Sequence, residues 1–141
     1  MLVGEFMRRE IIAAAVGDTL ARAAERMRTY DVSALPVFNG TRMVGIITER
    51  DMARAIAARL DADVSRVSAC MTPEPLAASP ANTVSEAVLM MIEHHIRHLP
   101  VMDCGELVGM VSVRDLLPLE RGPTAGRAPT TTGLEALATS D

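Results

Sequence analysis

Gly45-Ile46-Ile47-Thr48-Glu49-Arg50-Asp51 recurs 64 residues later as Gly109-Met110-Val111-Ser112-Val113-Arg114-Asp115. Leu35-Pro36-Val37 recurs at the same offset as Leu99-Pro100-Val101, and the pairs Met7/Met71, Glu10/Glu74 and Thr19/Thr83 keep it without a gap. A constant offset over most of a chain marks two copies of one supersecondary unit. Two like units invite a pseudo-twofold pair, and the crevice between them is a natural ligand site.

Each copy spans roughly 60 residues, a size at which an isolated unit is marginal, so the copies are expected to fold against each other. With 49% hydrophobic residues and a mean hydropathy of +0.21, the chain has the makings of a packed core. Phe6, Tyr30 and Phe38 are its three aromatics, so the core falls to Val, Ile, Leu, Ala and the ten Met. The net charge of −4 argues against a broad nucleic-acid footprint, which needs clustered positive charge. All fourteen basic residues are Arg. Arg suits planar recognition of phosphate, although the bias is equally explained by genome composition. Cys70 and Cys104 have no paired spacing and read as thiols of a reducing compartment. No signal-peptide order and no membrane-length apolar run is present, so the expected location is the cytoplasm.

Both copies show the same order of elements. An extended lead-in covers residues 10–16 in the first copy and 75–79 in the second. A helix follows, capped by Asp18 or Thr19 with the stripe Leu20, Ala23, Ala24, Met27, and again by Asn82 or Thr83 with Val84, Ala87, Val88, Met91. Two strands then flank Asn39-Gly40, a tight hairpin signal, and Asp103-Cys104-Gly105, a looser one. Pro36 and Pro100 should mark strand starts or edges, because proline lacks the ladder donor. A second helix is expected from Thr48 to about Leu60, and its counterpart from Ser112 until Pro118 cuts it short. The expected boundaries are 1–64 for the first repeat with its linker (residues 61–69), 65–120 for the second, and 121–141 for a Gly, Pro and Thr rich flexible tail.

Thr48-x-x-Asp51 and Ser112-x-x-Asp115 sit where an apolar strand meets a helix. The plain reading is a capping box, in which hydroxyl and carboxylate satisfy each other's backbone N–H groups. A sharper reading uses the same geometry. A helix N-terminus attracts phosphate, a hydroxyl there can donate to it, Arg50 or Arg114 can pair with it, and an Asp one turn in can accept from the vicinal hydroxyls of a ribose. Gly45 and Gly109 let something approach the strand backbone closely. The set fits a nucleotide and contains no nucleophile with a base.

Leu-Pro-Val upstream of Gly-h-h-[Thr/Ser]-x-Arg-Asp, present twice, resembles the cystathionine-beta-synthase (CBS) domain family over residues 5–120. Cys70-Met71-Thr72-Pro73 matches the usual family start, and Phe6-Met7-Arg8-Arg9 is a weaker version of it. The resemblance implies an α/β fold: tandem repeats, each a small mixed sheet with packed helices, related by a pseudo-twofold axis. It also implies adenosyl ligands such as AMP, ADP, ATP or S-adenosylmethionine, as regulatory ligands with no required cofactor. Carried over, Asp51 and Asp115 would hold ribose hydroxyls, and Thr48 and Ser112 would contact phosphate. Ile12, Ala34, Pro36, Leu76, His98 and Pro100 would surround adenine.

The copies differ in two places. Ser33-Ala34 stands where the second copy has Arg97-His98, which either reach phosphate and favour a more anionic ligand or are strand-edge residues. Glu25, Arg26 and Arg28 stand where the second copy has Leu89, Met90 and Ile92. That apolar helix is either a homodimer face or part of a wider core. His94, His95, His98 and Cys104 lack metal-ligand spacing. The expectation is a regulatory, non-enzymatic nucleotide sensor, dimeric, signalling to a partner protein in trans, with no role at a membrane and none with nucleic acid. The alternative is a structural or interaction protein that keeps the fold without the ligand.

Overall fold

A computed structural model describes residues 1–120, and the tail expected at 121–141 lies outside them. The elements in chain order are α1 (Val3–Phe6), β1 (Ala14–Ala15), α2 (Leu20–Tyr30), β2 (Ala34–Asn39), β3 (Arg42–Thr48), α3 (Glu49–Ala57), α4 (Val67–Cys70), β4 (Thr72–Pro73), α5 (Val84–Glu93), β5 (His98–Asp103), β6 (Glu106–Ser112) and α6 (Val113–Glu120). They form two compact units: Ile11–Pro75, here the first-copy unit, and Met1–Glu10 with the described residues from Leu76 to Glu120, the second-copy unit.

These units are interleaved relative to the repeat boundaries at 64 and 65. The opening segment of each copy, residues 1–10 and 65–75, folds with the hairpin of the other copy, whereas the lead-ins pair with their own, Ala14 with Val37 and Ala78 with Val101. In the second-copy unit, Val3 is fully buried and Met7 nearly so. Val3 N–H donates to Asn82 O at 2.9 Å, Gly4 N–H to Pro80 O at 3.0 Å, and Arg8 exchanges backbone bonds with Met110 at 2.8 and 3.0 Å. In the first-copy unit, Val67 is fully buried and donates to Asp18 O at 2.8 Å. Residues 61–69, expected as a linker, are therefore an ordered part of that unit: Ser65 O accepts from Leu20 N–H and Ala62 O from Ala21 N–H.

The first-copy sheet has the order β1-β2-β3-β4, with β1 parallel to β2 and the other pairs antiparallel. In the second-copy unit the β5–β6 hairpin carries the same two outer partners as single bridges, Ala78 with Val101 and Arg8 with Met110. Both hairpins turn through two residues, one position later than expected in the first copy and more tightly in the second. Gly40 takes φ +65 in the Gly40-Thr41 loop. Cys104 and Gly105 take φ +51 and +80, the double-positive pattern of a type I′ turn.

Pro36 and Pro100 are neither strand starts nor edges. Each lies inside a strand with a partner on both sides, Pro36 opposite Ile46 and Pro100 opposite Met110. Ala78 N–H donates to Pro100 O, and Met102 N–H to Ala78 O. Pro100 thus turns its carbonyl, and with it its donorless nitrogen, toward the lead-in side and away from the hairpin partner. The lead-in bridge ends there, so no ladder bond is lost.

Thr19 and Thr83 are the helix N-caps, accepting from Arg22 N–H at 3.2 Å and Glu86 N–H at 3.1 Å. Asp18 and Asn82 instead close the turns ahead of them, accepting from Ala15 N–H at 2.9 Å and Ser79 N–H at 2.7 Å. Leu20, Ala23 and Met27 enter the first core with Leu35, Val37 and Ile47, whereas Ala24 is exposed. All four of Val84, Ala87, Val88 and Met91 enter the second core with Leu99, Val101, Val111 and Leu116. Leu89 and Ile92 stay 54% and 44% exposed, so they do not widen that core. Helix α3 stops at Ala57, short of Leu60, because Arg59 adopts a left-handed φ of +64. Helix α6 continues past Pro118 to Glu120. Proline forfeits its own bond to the carbonyl four residues back but leaves the following residues free to stay helical.

Candidate functional site

In each unit, one strand-to-helix junction gathers the predicted residues. Register places Ala34 opposite Thr48 and Pro36 opposite Ile46, and Glu49 N–H donates to Ser33 O at 3.0 Å, fastening the start of α3 to the strand before it. Thr48 is the N-cap. Its N–H donates to Asp51 Oδ2 at 2.9 Å, its hydroxyl donates to the same oxygen at 3.2 Å, and Asp51 N–H donates back to Thr48 Oγ1 at 3.4 Å. The capping box is therefore formed. Asp51 is only 7% exposed, the one buried charged side chain among the described residues. A buried carboxylate is costly unless its lone pairs are used. The cap occupies Oδ2, while Oδ1 has Arg54 Nη1 at 4.0 Å, beyond hydrogen-bond range. Arg50, next to it in sequence, is half-buried.

The second-copy junction repeats the plan with different charges. His98 lies opposite Ser112 and Pro100 opposite Met110, and Val113 N–H donates to Arg97 O at 2.8 Å. Ser112 Oγ–H donates to Asp115 Oδ2 at 3.0 Å, and Asp115 N–H donates to Ser112 Oγ at 3.3 Å. Asp115 is more open than Asp51 and has a cation beside it: Arg8 Nε stands 3.7 Å from Oδ2. Arg114 is exposed.

His98 does not add to that positive charge. Burial first, and then the neighbouring Arg97 cation, push its pKa from 6.5 down to about 4, with Asp115 opposing them and Arg114 adding a smaller depression. Near neutrality the imidazole is uncharged. Of the Arg97-His98 pair expected to reach phosphate, only Arg97 is a cation at that pH.

The remaining predicted residues lie along the lead-ins. Ile12 packs against the first core, two residues before the Ala14–Val37 pairing. Leu76 is exposed, two residues before the Ala78–Val101 bridge. The close approach expected at Gly45 and Gly109 is real, but the approaching group is the protein's own chain. A Cβ built on Gly45 would lie 2.6 Å from Met71 Sδ and 2.9 Å from Thr72 O; on Gly109, 2.7 Å from Met7 Sδ and 2.9 Å from Arg8 O. Among the described residues, no three His, Cys, Asp or Glu side chains converge as a metal group. No described helix is long and apolar enough to cross a membrane.

Arg8 is the residue at this junction that sequence reasoning missed. The repeat offset aligns it with Thr72, yet nothing local shows that residue 8 belongs beside Asp115.

The CBS domain family model matches residues 3–58 and 64–121. The inosine-5′-monophosphate dehydrogenase of Korarchaeum cryptofilum is 35% identical over 123 residues, 86% of this chain but 25% of that enzyme, so the chain spans about a quarter of that relative's length. A Burkholderia ambifaria protein with CBS domains superposes with a TM-score of 0.84 at 30% identity, covering 88% of this chain and 96% of that one. The CBS domain pair of protein MJ0100, in complex with 5′-methylthioadenosine and S-adenosyl-L-methionine, gives 0.79 at 26% identity, covering 86% and 97%.

Proposed function

We propose, from the premise that this chain belongs to the CBS domain family, that it is a regulatory module binding adenosyl compounds at the strand-to-helix junction of each unit. The observation that carries this reading is the buried carboxylate of Asp51. One oxygen is fixed by Thr48, and among the described residues the other faces the Arg54 guanidinium, at 4.0 Å, while Ser112 and Asp115 repeat the pairing in the second unit. A ribose diol offers two donors to such a carboxylate, and the helix N-terminus beside it favours an anionic group. The binding of 5′-methylthioadenosine and S-adenosyl-L-methionine by the MJ0100 pair supports the same ligand class. Occupancy shifts the equilibrium between conformations by its differential affinity for them, and a partner protein in the cytoplasm reads the shift. The role is regulatory, not catalytic, and the working form is a homodimer.

The formed capping box favours a second reading, a ligand-free interaction protein in which the carboxylates are caps alone. Asp51→Asn and Asp115→Asn separate the two, because Asn also caps helices well but loses the charge and one acceptor. A thermal-shift panel with AMP, ADP, ATP, S-adenosylmethionine and 5′-methylthioadenosine tests this. Ligand at 100 times its dissociation constant adds about 2.7 kcal/mol. The expected result is a rise in melting temperature for the wild type that one or both Asn variants lose. No rise with any compound, or a rise both variants keep, would leave the caps as the whole account.

A further inference from the structure

We propose that Arg8 is a specificity-determining residue of the second-copy site, recognising the phosphate of an anionic adenosine ligand. The inference rests on the adenosyl reading above and names the ligand class of that site.

The residue is placed firmly. Its backbone is bonded in both directions to Met110 of β6, and Met7 just before it is packed over Gly109, where no side chain intervenes. Its side chain is nonetheless 61% exposed, with Nε 3.7 Å from Asp115 Oδ2. That separation is an ion pair and not a hydrogen bond. The carboxylate therefore attracts the guanidinium without claiming its donors, and Oδ2 is already served by Ser112.

A 5′-phosphate on a ribose held by Asp115 would be an anion close to a carboxylate. Repulsion opposes that approach unless a cation sits between or beside them. Arg8 occupies such a position, and its planar fork matches phosphate oxygens in bidentate fashion. Arg97 and Arg114 add positive charge to the same junction, against the single carboxylate of Asp115. In the first-copy unit the aligned residues are Thr72 for Arg8 and Ser33 for Arg97, and Glu49 stands where the second copy has Val113. There Arg50 and Arg54 are balanced by Glu49 and Asp51. The cation-rich site is thus built with a residue delivered from the N-terminal segment.

The test is calorimetric titration of AMP and adenosine into a protein carrying Asp51→Asn to silence the first-copy site, with and without Arg8→Gln. Loss of a charge-assisted contact should weaken AMP about 10-fold to 100-fold and leave adenosine unchanged. Arg8→Lys should restore part of the loss. Arg9→Gln removes an adjacent cation whose Nη2 donates to Gly4 O at 3.0 Å, and it should leave AMP affinity as it was. Equal weakening of AMP and adenosine, unchanged AMP affinity in Arg8→Gln, or the same loss in Arg9→Gln would overturn the assignment. If wild-type protein binds no adenosyl compound, the underlying reading falls and this one with it; if wild type binds and Arg8→Gln behaves like its parent, only the role of Arg8 falls.

Discussion

Adding one methyl group at Gly45 should unseat the exchanged segment, residues 71–73. In Gly45→Ala the new Cβ would meet Met71 Sδ at 2.6 Å and Thr72 O at 2.9 Å, and real Cβ atoms essentially never approach within 3.0 Å. The thioether can swing aside, but the carbonyl cannot yield without breaking the pairing of Gly45 with Pro73 and Ile46 with Thr72. Overpacking of this kind costs about 1–3 kcal/mol. For a chain of this size that corresponds to a fall in melting temperature of roughly 4–12 °C. The control is Gly17→Ala, where an added Cβ meets nothing within 4 Å and φ is not left-handed. There the change should be neutral or stabilising by about 0.4–1 kcal/mol, through the unfolded chain. Gly109→Ala should repeat the Gly45 result, since Met7 Sδ and Arg8 O stand at 2.7 and 2.9 Å. Differential scanning calorimetry of the three variants decides the matter. If Gly45→Ala melts with Gly17→Ala, residues 71–73 do not press on the strand and the interleaved units are refuted.

Acid should weaken the second-copy unit through His98: its folded pKa of about 4 lies below the unfolded 6.5, so its contribution is complete above pH 6.5 and lost as pH falls toward 4. Between pH 7 and pH 5 this amounts to about 2 kcal/mol, and urea melts of His98→Gln should lack that part of the wild-type slope. Thr83→Ala should cost about 1 kcal/mol by removing the cap of α5. Its second signature is in Glu86, whose carboxylate pKa is held below the usual range first by the Thr83 backbone N–H and then by the Thr83 hydroxyl; alanine keeps the first and removes the second, so NMR titration should find it moved only part of the way up. Leu89→Glu with Ile92→Arg should leave the melting temperature within a few degrees, as both side chains are exposed, and sedimentation should show the proposed homodimer dissociated. A dimer that survives both changes would place the contact elsewhere.

Most of the elements could be read from the chain because their signals are local. A cap acts over three residues, as from Thr83 to Glu86, and a helix face repeats within four, so Val84, Ala87, Val88 and Met91 could be named as one buried stripe. The junction residues were legible for the same reason: Thr48 with Asp51, and Ser112 with Asp115, pair within a single turn. Ala24 escaped burial although the period included it, because a period gives a face and not its width.

What the sequence by itself determined is the repeat, its element order, the caps and the two Asp-bearing junctions. Tertiary structure alone decided which hairpin the opening segment of each copy joins, residues 7–8 on β6 and 71–73 on β3. A constant offset of 64 cannot distinguish an opening segment paired with its own copy from one exchanged with the other, since both satisfy the same pattern. From that one long-range choice follow Met71 against Gly45, Met7 against Gly109 and Arg8 beside Asp115. The direction of the Pro100 nitrogen and the neutral state of His98 were decided the same way. Each depends on what lies across the sheet or around the side chain, and those neighbours are distant in the chain.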